Sequence, residues 1–225
     1  MLRPGRDKGF ATPIPLGLAG LATSTFLMGV AMMFQSPASL GPYLMQAVMF
    51  GGLVEILAGM WAFAYGDPMA ATSFTFLGAF FGWWALSHMT VFGIHADSAV
   101  AMNSMAMVFI VTAVVTLYLW IASFYESAAF NLMLLGLWIA FGLGGLAMFT
   151  GSSVIGVIGG ISAVVSSLIG GYASFAEVYN STSLQEVVPT GESKEVRERV
   201  EQEESRRIRR LHAIDSDSRR AEMSA

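Results

Sequence analysis

Long apolar runs separated by short polar breaks dominate the chain. Six runs stand out, over about 14–34, 43–65, 72–93, 99–124, 129–149 and 153–179. Each reaches the ~20 residues that an α-helix needs to cross a bilayer. The breaks carry turn chemistry: Gln35-Ser36-Pro37, Gly41-Pro42, Gly66-Asp67-Pro68, Ala96-Asp97-Ser98, Glu126-Ser127 and Gly151-Ser152-Ser153. The pattern predicts an all-α integral membrane protein with six transmembrane helices. The short breaks make consecutive helices neighbours.

The first run opens on Thr12-Pro13-Ile14-Pro15-Leu16-Gly17-Leu18. Proline lacks an N–H and holds φ near the helical value, so Pro15 suits a first helical position, and Pro13 biases Thr12 towards extended backbone. On this reading the N–H groups of Leu16, Gly17 and Leu18 lack intrahelical partners and form a site for a carboxylate. The plainer reading is a surface helix cap. Inside the runs, Gly78-x-x-x-Gly82 and Gly156-x-x-x-Gly160 are small-residue faces for close helix approach. Gly51-Gly52, Gly144-Gly145 and Gly170-Gly171 are places where a helix loosens. Beyond about residue 184 the chain turns polar. Glu195–Arg199 and Glu203–Arg207 stand at i,i+4 spacing, with a thin stripe of Val196, Val200, Ile208 and Leu211. The expected organisation is a cytoplasmic segment 1–13, a six-helix domain 14–183, and a charged cytoplasmic tail 184–225, helical or partly disordered.

Composition agrees: 55% of the 225 residues are hydrophobic and 12% charged, unlike a soluble domain. The positions of the charges matter more than the net −4. All 12 Lys and Arg lie within 1–8 or 194–220. By the positive-inside rule both termini are cytoplasmic. That requires an even number of spans, as six provides. Confinement of the cations to the ends argues against nucleic-acid binding. The sequence holds no cysteine, phosphate loop, metal-ligand cluster or nucleophile–base pair, so it predicts neither enzyme, metal nor cofactor.

Glu55 is the sharpest single residue. It lies mid-span, where a charge costs roughly 2.5–3.5 kcal/mol even on the mild insertion scale. No Lys or Arg is within the spans to pair with it, and desolvation keeps it protonated part of the time. It reads as a proton site or polar pathway group, or else as a protonated acid hydrogen-bonded between helices. His88 is a candidate proton relay or a packing histidine, and His95 is interfacial. Ser24-Thr25, and Thr72-Ser73 opening the third span, line a polar path or bond their own helix carbonyls. Asn103 and Ser104 are polar groups at a span end, and Asn131 is expected to cap the fifth span. The 15 Met and 16 Phe residues read as lipid-facing or packing surface.

The opening stretch resembles the N-P-A-P-L-G-L signature of the acetate uptake transporter family, with Thr12 for the Asn and Ile14 for the Ala. Gly20-Leu-Ala-Thr-Ser-Thr-Phe26 is similar to the family's G-F-x-x-T-T. Gly51-Gly52-Leu-Val-Glu55-Ile-Leu-Ala-Gly-Met60 is similar to G-G-x-x-Q-x-x-A-G, and Gly66-Asp-Pro-Met-Ala-Ala-Thr-Ser-Phe74 to G-N-T-F-G-x-T-A-F. Glu177-Val178 and Val188-Pro-Thr-Gly-Glu192 resemble its closing E-V and L-P-x-G-E. The resemblance implies six helices per subunit, a pathway within each subunit, homohexamers, and proton-linked uptake of acetate and related short carboxylates. It places the family's Phe–Tyr–Leu constriction on Leu21, Leu77 and Leu137, giving an all-leucine ring, and puts Glu55 where the family commonly has Gln. The candidate substrate pathway is therefore Thr12, Pro13, Pro15, Leu16, Gly17, Leu18, Leu21, Ser24, Thr25, Glu55, Thr72, Leu77 and Leu137. Expected partners are acetate or similar acids, protons, the lipid bilayer of the cell membrane, and further copies of the chain. Alternatives are a channel for ammonia, water or a neutral acid, and a sensor or scaffold acting through the charged tail.

Overall fold

The computed structural model describes residues 11–34, 46–87, 99–183 and 187–191. The basic N-terminus, His88, His95 and the charged tail lie outside them. Among the described residues, six helices are long and apolar enough to span a membrane. They are α1 (Ile14–Phe34), α2 (Ala47–Tyr65), α3 (Pro68–Ser87), α4 (Ala99–Ala122, extended by a 3₁₀ turn to Tyr125), α5 (Ala128–Thr150) and α6 (Ser153–Ser183).

Two boundaries differ from the hydropathy reading, and each has a local cause. Helix α3 starts at Pro68 rather than residue 72. Gly66 takes a left-handed φ of 84° and closes α2, and Asp67 then caps α3 by accepting from the Ala70 N–H at 2.9 Å. Thr72 and Ser73 therefore lie inside α3 rather than opening it. Helix α6 runs to Ser183 rather than 179, because Ser181 and Thr182 hydroxyls bond the carbonyls one turn back and let the helix continue through polar residues. Asn131 does not cap α5: the cap is Ser127, which accepts from the Phe130 N–H. Asn131 instead donates to Ser123 Oγ at 2.8 Å and to the Trp120 carbonyl, tying α5 to the end of α4.

The most extensive interface joins the first helix to the last. It exists because Gly29 and Gly160 face each other: a Cβ on either would stand 2.7–2.8 Å from the other's carbonyl oxygen. Helices α5 and α6 are stitched by Ser162 to the Gly136 carbonyl (2.8 Å) and Ser166 to the Met133 carbonyl (2.6 Å). The second small-residue face, Gly78-x-x-x-Gly82, packs α3 on α2, where a Cβ at Gly82 would meet Gly52 Cα at 3.2 Å. Helix α2 is π-helical over Ala47–Val54, the part that contains Gly51-Gly52, and the Glu55 N–H bonds back to the Phe50 carbonyl.

Candidate pathway and its cavity

The odd-numbered helices α1, α3 and α5 all start at the end of the bundle where residues 187–191 lie. Each carries buried residues in the same spacing of four, three and four: Ile14, Leu18, Leu21, Thr25 on α1; Ala70, Phe74, Leu77, Phe81 on α3; Phe130, Leu134, Leu137, Phe141 on α5. That is the spacing of one helical face. Apart from half-buried Ile14, all of them are buried, and Leu21, Leu77 and Leu137 are fully so.

A cavity of about 50 Å³ occupies that starting end. Its walls combine Ile14 and Leu18 of α1, Ala70 and Phe74 of α3 and Phe130 of α5 with Ala173 of α6. The cavity's last apolar residues on α1 and α3, Leu18 and Phe74, stand one step before Leu21 and Leu77. One turn beyond the leucines the interior is aromatic. The Phe81 and Phe141 rings are 6.2 Å apart, and Phe80 meets Phe141 edge-on at 4.7 Å and Phe109 at 5.2 Å.

Asp67, Glu126, Glu177, Ser127 and Thr190 give the cavity its polar rim; no Lys, Arg or His is among the described lining residues. A short strap, residues 187–191, closes one side. Asn180 Oδ1 accepts from the Val187 and Val188 N–H groups, and its Nδ2 donates to the Val188 carbonyl, all at 2.8–2.9 Å. Tyr172 donates to the Pro189 carbonyl. The strap's Thr190 and Gly191 carbonyls then accept from Ala129 and Ala128, satisfying the first N–H groups of α5.

The opening of α1 differs from the sequence expectation. The helix begins at Ile14, and Pro13 caps it: the Gly17 N–H bonds the Pro13 carbonyl at 3.0 Å. Pro15 is therefore the second helical residue, and the Gly17 donor is not free for a carboxylate. Thr12 Oγ1 takes the Ile14 N–H. The Leu16 side chain is 54% exposed and points away from the interior. Gly17 is required because the Phe74 ring sits directly over it. Ser174 of α6 fixes this start by donating to the Pro15 carbonyl at 2.8 Å. The starts of α3 and α5 are likewise occupied, by Asp67 and by the strap. The Gly17 N–H of α1, the Ala70 N–H of α3 and the Ala128 and Ala129 N–H groups of α5 are thus taken by the chain itself.

The remaining sequence candidates divide. Thr72 is half-buried. Ser24 bonds the Gly20 carbonyl at 2.8 Å, the ordinary behaviour of a helical serine. Thr25 does not: its Oγ1 is buried and without a partner. Glu55 is fully buried, and neither carboxyl oxygen has a hydrogen-bond partner among the described residues. It sits between two glycines, with a Cβ at Gly20 falling 3.0 Å from its Cγ and one at Gly78 falling 2.9 Å from its Cβ.

Sequence reading did not single out Asp67, Phe74, Phe130, Glu177 or Thr190 as site residues. The signal was present, because Thr12–Leu18, Gly66–Phe74, Glu177 and the strap are four separately readable motifs. What the folded chain adds is that all four meet at one cavity.

Residues 1–192 match the sequence profile of the GPR1/FUN34/yaaH family. The chain belongs to this family. It is an integral membrane protein. Among its relatives, Ammonia transport outward protein 2 of Saccharomyces cerevisiae is 26% identical over 182 residues, covering 79% of this chain and 64% of the relative. Acetate permease A of Emericella nidulans is 40% identical over 73 residues, 32% of this chain and 24% of the relative. The fold is that of the bacterial acetate channel SatP, with a TM-score of 0.73 at 22% identity, covering 80% of this chain and 98% of that one.

Proposed function

We propose that this member of the family moves short monocarboxylic acids, acetate foremost, across the cell membrane with linkage to protons. In this reading both termini are cytoplasmic, the assembly is a homohexamer, and each subunit holds its own route. What supports it is a cavity lined by Leu18 and Phe74, one helical step before the buried Leu21 and Leu77, with Leu137 at the matching position on α5. These lie on three helices of a common direction and spacing. The relatives named for acetate support the choice of solute. A route walled by leucine and phenylalanine has no cation to trap a carboxylate. It favours the neutral acid, or an anion that binds weakly enough to leave.

The test is uptake of labelled acetate by the full chain in proteoliposomes, with and without an inward proton gradient. Uptake that exceeds empty liposomes and grows with the gradient is expected. Uptake equal to that of empty liposomes would overturn the reading.

A second reading is passage of ammonia. Two observations favour it: an acid-rimmed cavity, and a relative named for outward ammonia transport. Methylammonium efflux from the same vesicles separates the two.

A further inference from the structure

Helices α1 and α3 have two different faces at the same depth. Leu21 and Leu77 belong to the face shared with α5. Their chain neighbours Gly20 and Gly78, about 100° round each helix, face α2 and the Glu55 side chain. Glu55 is thus level with the leucines but behind them, with the α1–α3 pair between it and α5.

The seat of that carboxyl is unusual in what it lacks. Ser24 is the polar side chain beside it. In this structure the Ser24 hydroxyl donates to the Gly20 carbonyl at 2.8 Å, which leaves its oxygen to accept. A Cβ on Gly51 would lie 2.6 Å from Ser24 Oγ, so α2 presses this serine close. The backbone oxygens nearby, of Phe50 and Gly51, are acceptors too. Helices α1 and α3 carry no Asp, Glu, Lys, Arg, His or Tyr, and α2 adds only Tyr65, ten residues along its own helix. Among the described residues no hydrogen bond reaches the two carboxyl oxygens, and the polar atoms that the glycine contacts place closest to this seat, Ser24 Oγ and the Phe50 and Gly51 carbonyls, are placed as acceptors. One proton resolves this: on Glu55, it makes the carboxyl a donor to Ser24 Oγ, which in turn donates to Gly20. Because the glycine contacts leave no room for even a methyl, a solute molecule does not fit there.

We propose that proton and solute occupy opposite sides of the α1–α3 pair: Glu55 holds the proton behind the leucine layer, and Ser24 is its positioning residue, neither touching the solute. This removes Ser24 and Glu55 from the solute-lining set read from sequence. It rests on the transport reading for its solute arm only. The link to the route is mechanical. The Glu55 seat and the leucines share adjacent residues on α1 and α3, and this is the path by which a charge on the carboxyl would act on Leu21 and Leu77.

The experiment uses the full chain in proteoliposomes with two readouts. Infrared difference spectra across a pH titration should show a buried carboxylic-acid carbonyl band. The band should be lost in Glu55→Gln and moved to higher frequency in Ser24→Ala, which removes the acceptor. Competition of labelled acetate uptake by acids of increasing chain length should be the same in Ser24→Ala as in the native chain. The midpoint of its pH dependence should shift by about one pH unit, the size of one hydrogen bond. If Ser24→Ala does not assemble, Ser24→Cys keeps the volume with a weaker acceptor and serves the same comparison. A band that survives Glu55→Gln, or is unmoved in the Ser24 variant, overturns the proton seat. A changed chain-length profile in the Ser24 variant overturns the separation of routes. Absence of acetate uptake in the native chain would sink the transport reading while leaving the infrared result to decide the proton site.

Discussion

Ser174, near the end of the last helix, donates a hydrogen bond of 2.8 Å to the carbonyl of Pro15, in the first turn of the first. This bond pins the opening of α1 beside the cavity. Ser174→Ala removes it and should cost about 1 kcal/mol, the usual net value of a buried hydrogen bond. Thermal unfolding in detergent measures this. A melting temperature equal to that of the native chain would show that the bond does not hold α1.

Pro13, not Pro15, sets where α1 begins. Its carbonyl receives the first helical hydrogen bond, and its ring keeps Thr12 out of the helix. Pro13→Ala should let the helix grow backwards and weaken acetate uptake severalfold at unchanged expression, an effect of about 1 kcal/mol. Pro15→Ala, at a position that is already helical, should change uptake little. Uptake rates of the two variants side by side decide the matter, and the reverse ranking would refute this assignment of the cap.

Leu77 is fully buried on the α3 face that also carries Phe74 and Phe81. Leu77→Tyr adds a ring and a hydroxyl there and should narrow the route, shifting preference towards acetate over propionate and butyrate. Roughly tenfold is reasonable for a one-methylene difference in a tight apolar site. The measurement is competition by acids of increasing length, on variant protein whose melting has been checked against overpacking. Identical competition curves would remove Leu77, and with it the leucine ring, from the selective step.

Asn180 holds the strap by three hydrogen bonds. Asn180→Ala should free residues 187–191, uncover the first N–H groups of α5, and expose the strap to protease. Limited proteolysis followed by mass spectrometry reads this directly, with faster cleavage between residues 184 and 191 as the expected result. An unchanged cleavage pattern would mean that Tyr172 and α5 suffice to hold the segment.

The sequence by itself determined the six helices, because run length and hydropathy are local and the bilayer's thickness sets the threshold for each run separately. It determined the breaks at Gly66-Asp67 and Gly151, where turn chemistry is written in two or three adjacent residues. It also determined that Glu55 is an acid without a cation in the spans, since that follows from a list of charges. Tertiary structure decided the rest. Turn residues at Thr12–Pro15 allowed a start at either Ile14 or Pro15, and the choice rests on which carbonyl Gly17 finds. Ser24 and Thr25 are adjacent hydroxyls with the same propensities, yet one bonds its own helix and the other does not. The glycine stripes read as close helix approach without a partner; only packing shows that Gly160 meets Gly29 and Gly78 meets Glu55. The side of α1 and α3 on which Glu55 falls depends on how the helices are rotated. Rotation is set by contacts among residues far apart in the chain, to which a one-dimensional pattern is blind. The same cause hid the cavity: Leu18, Asp67, Glu177 and Thr190 lie on four separate stretches, and the fold alone brings them to one wall.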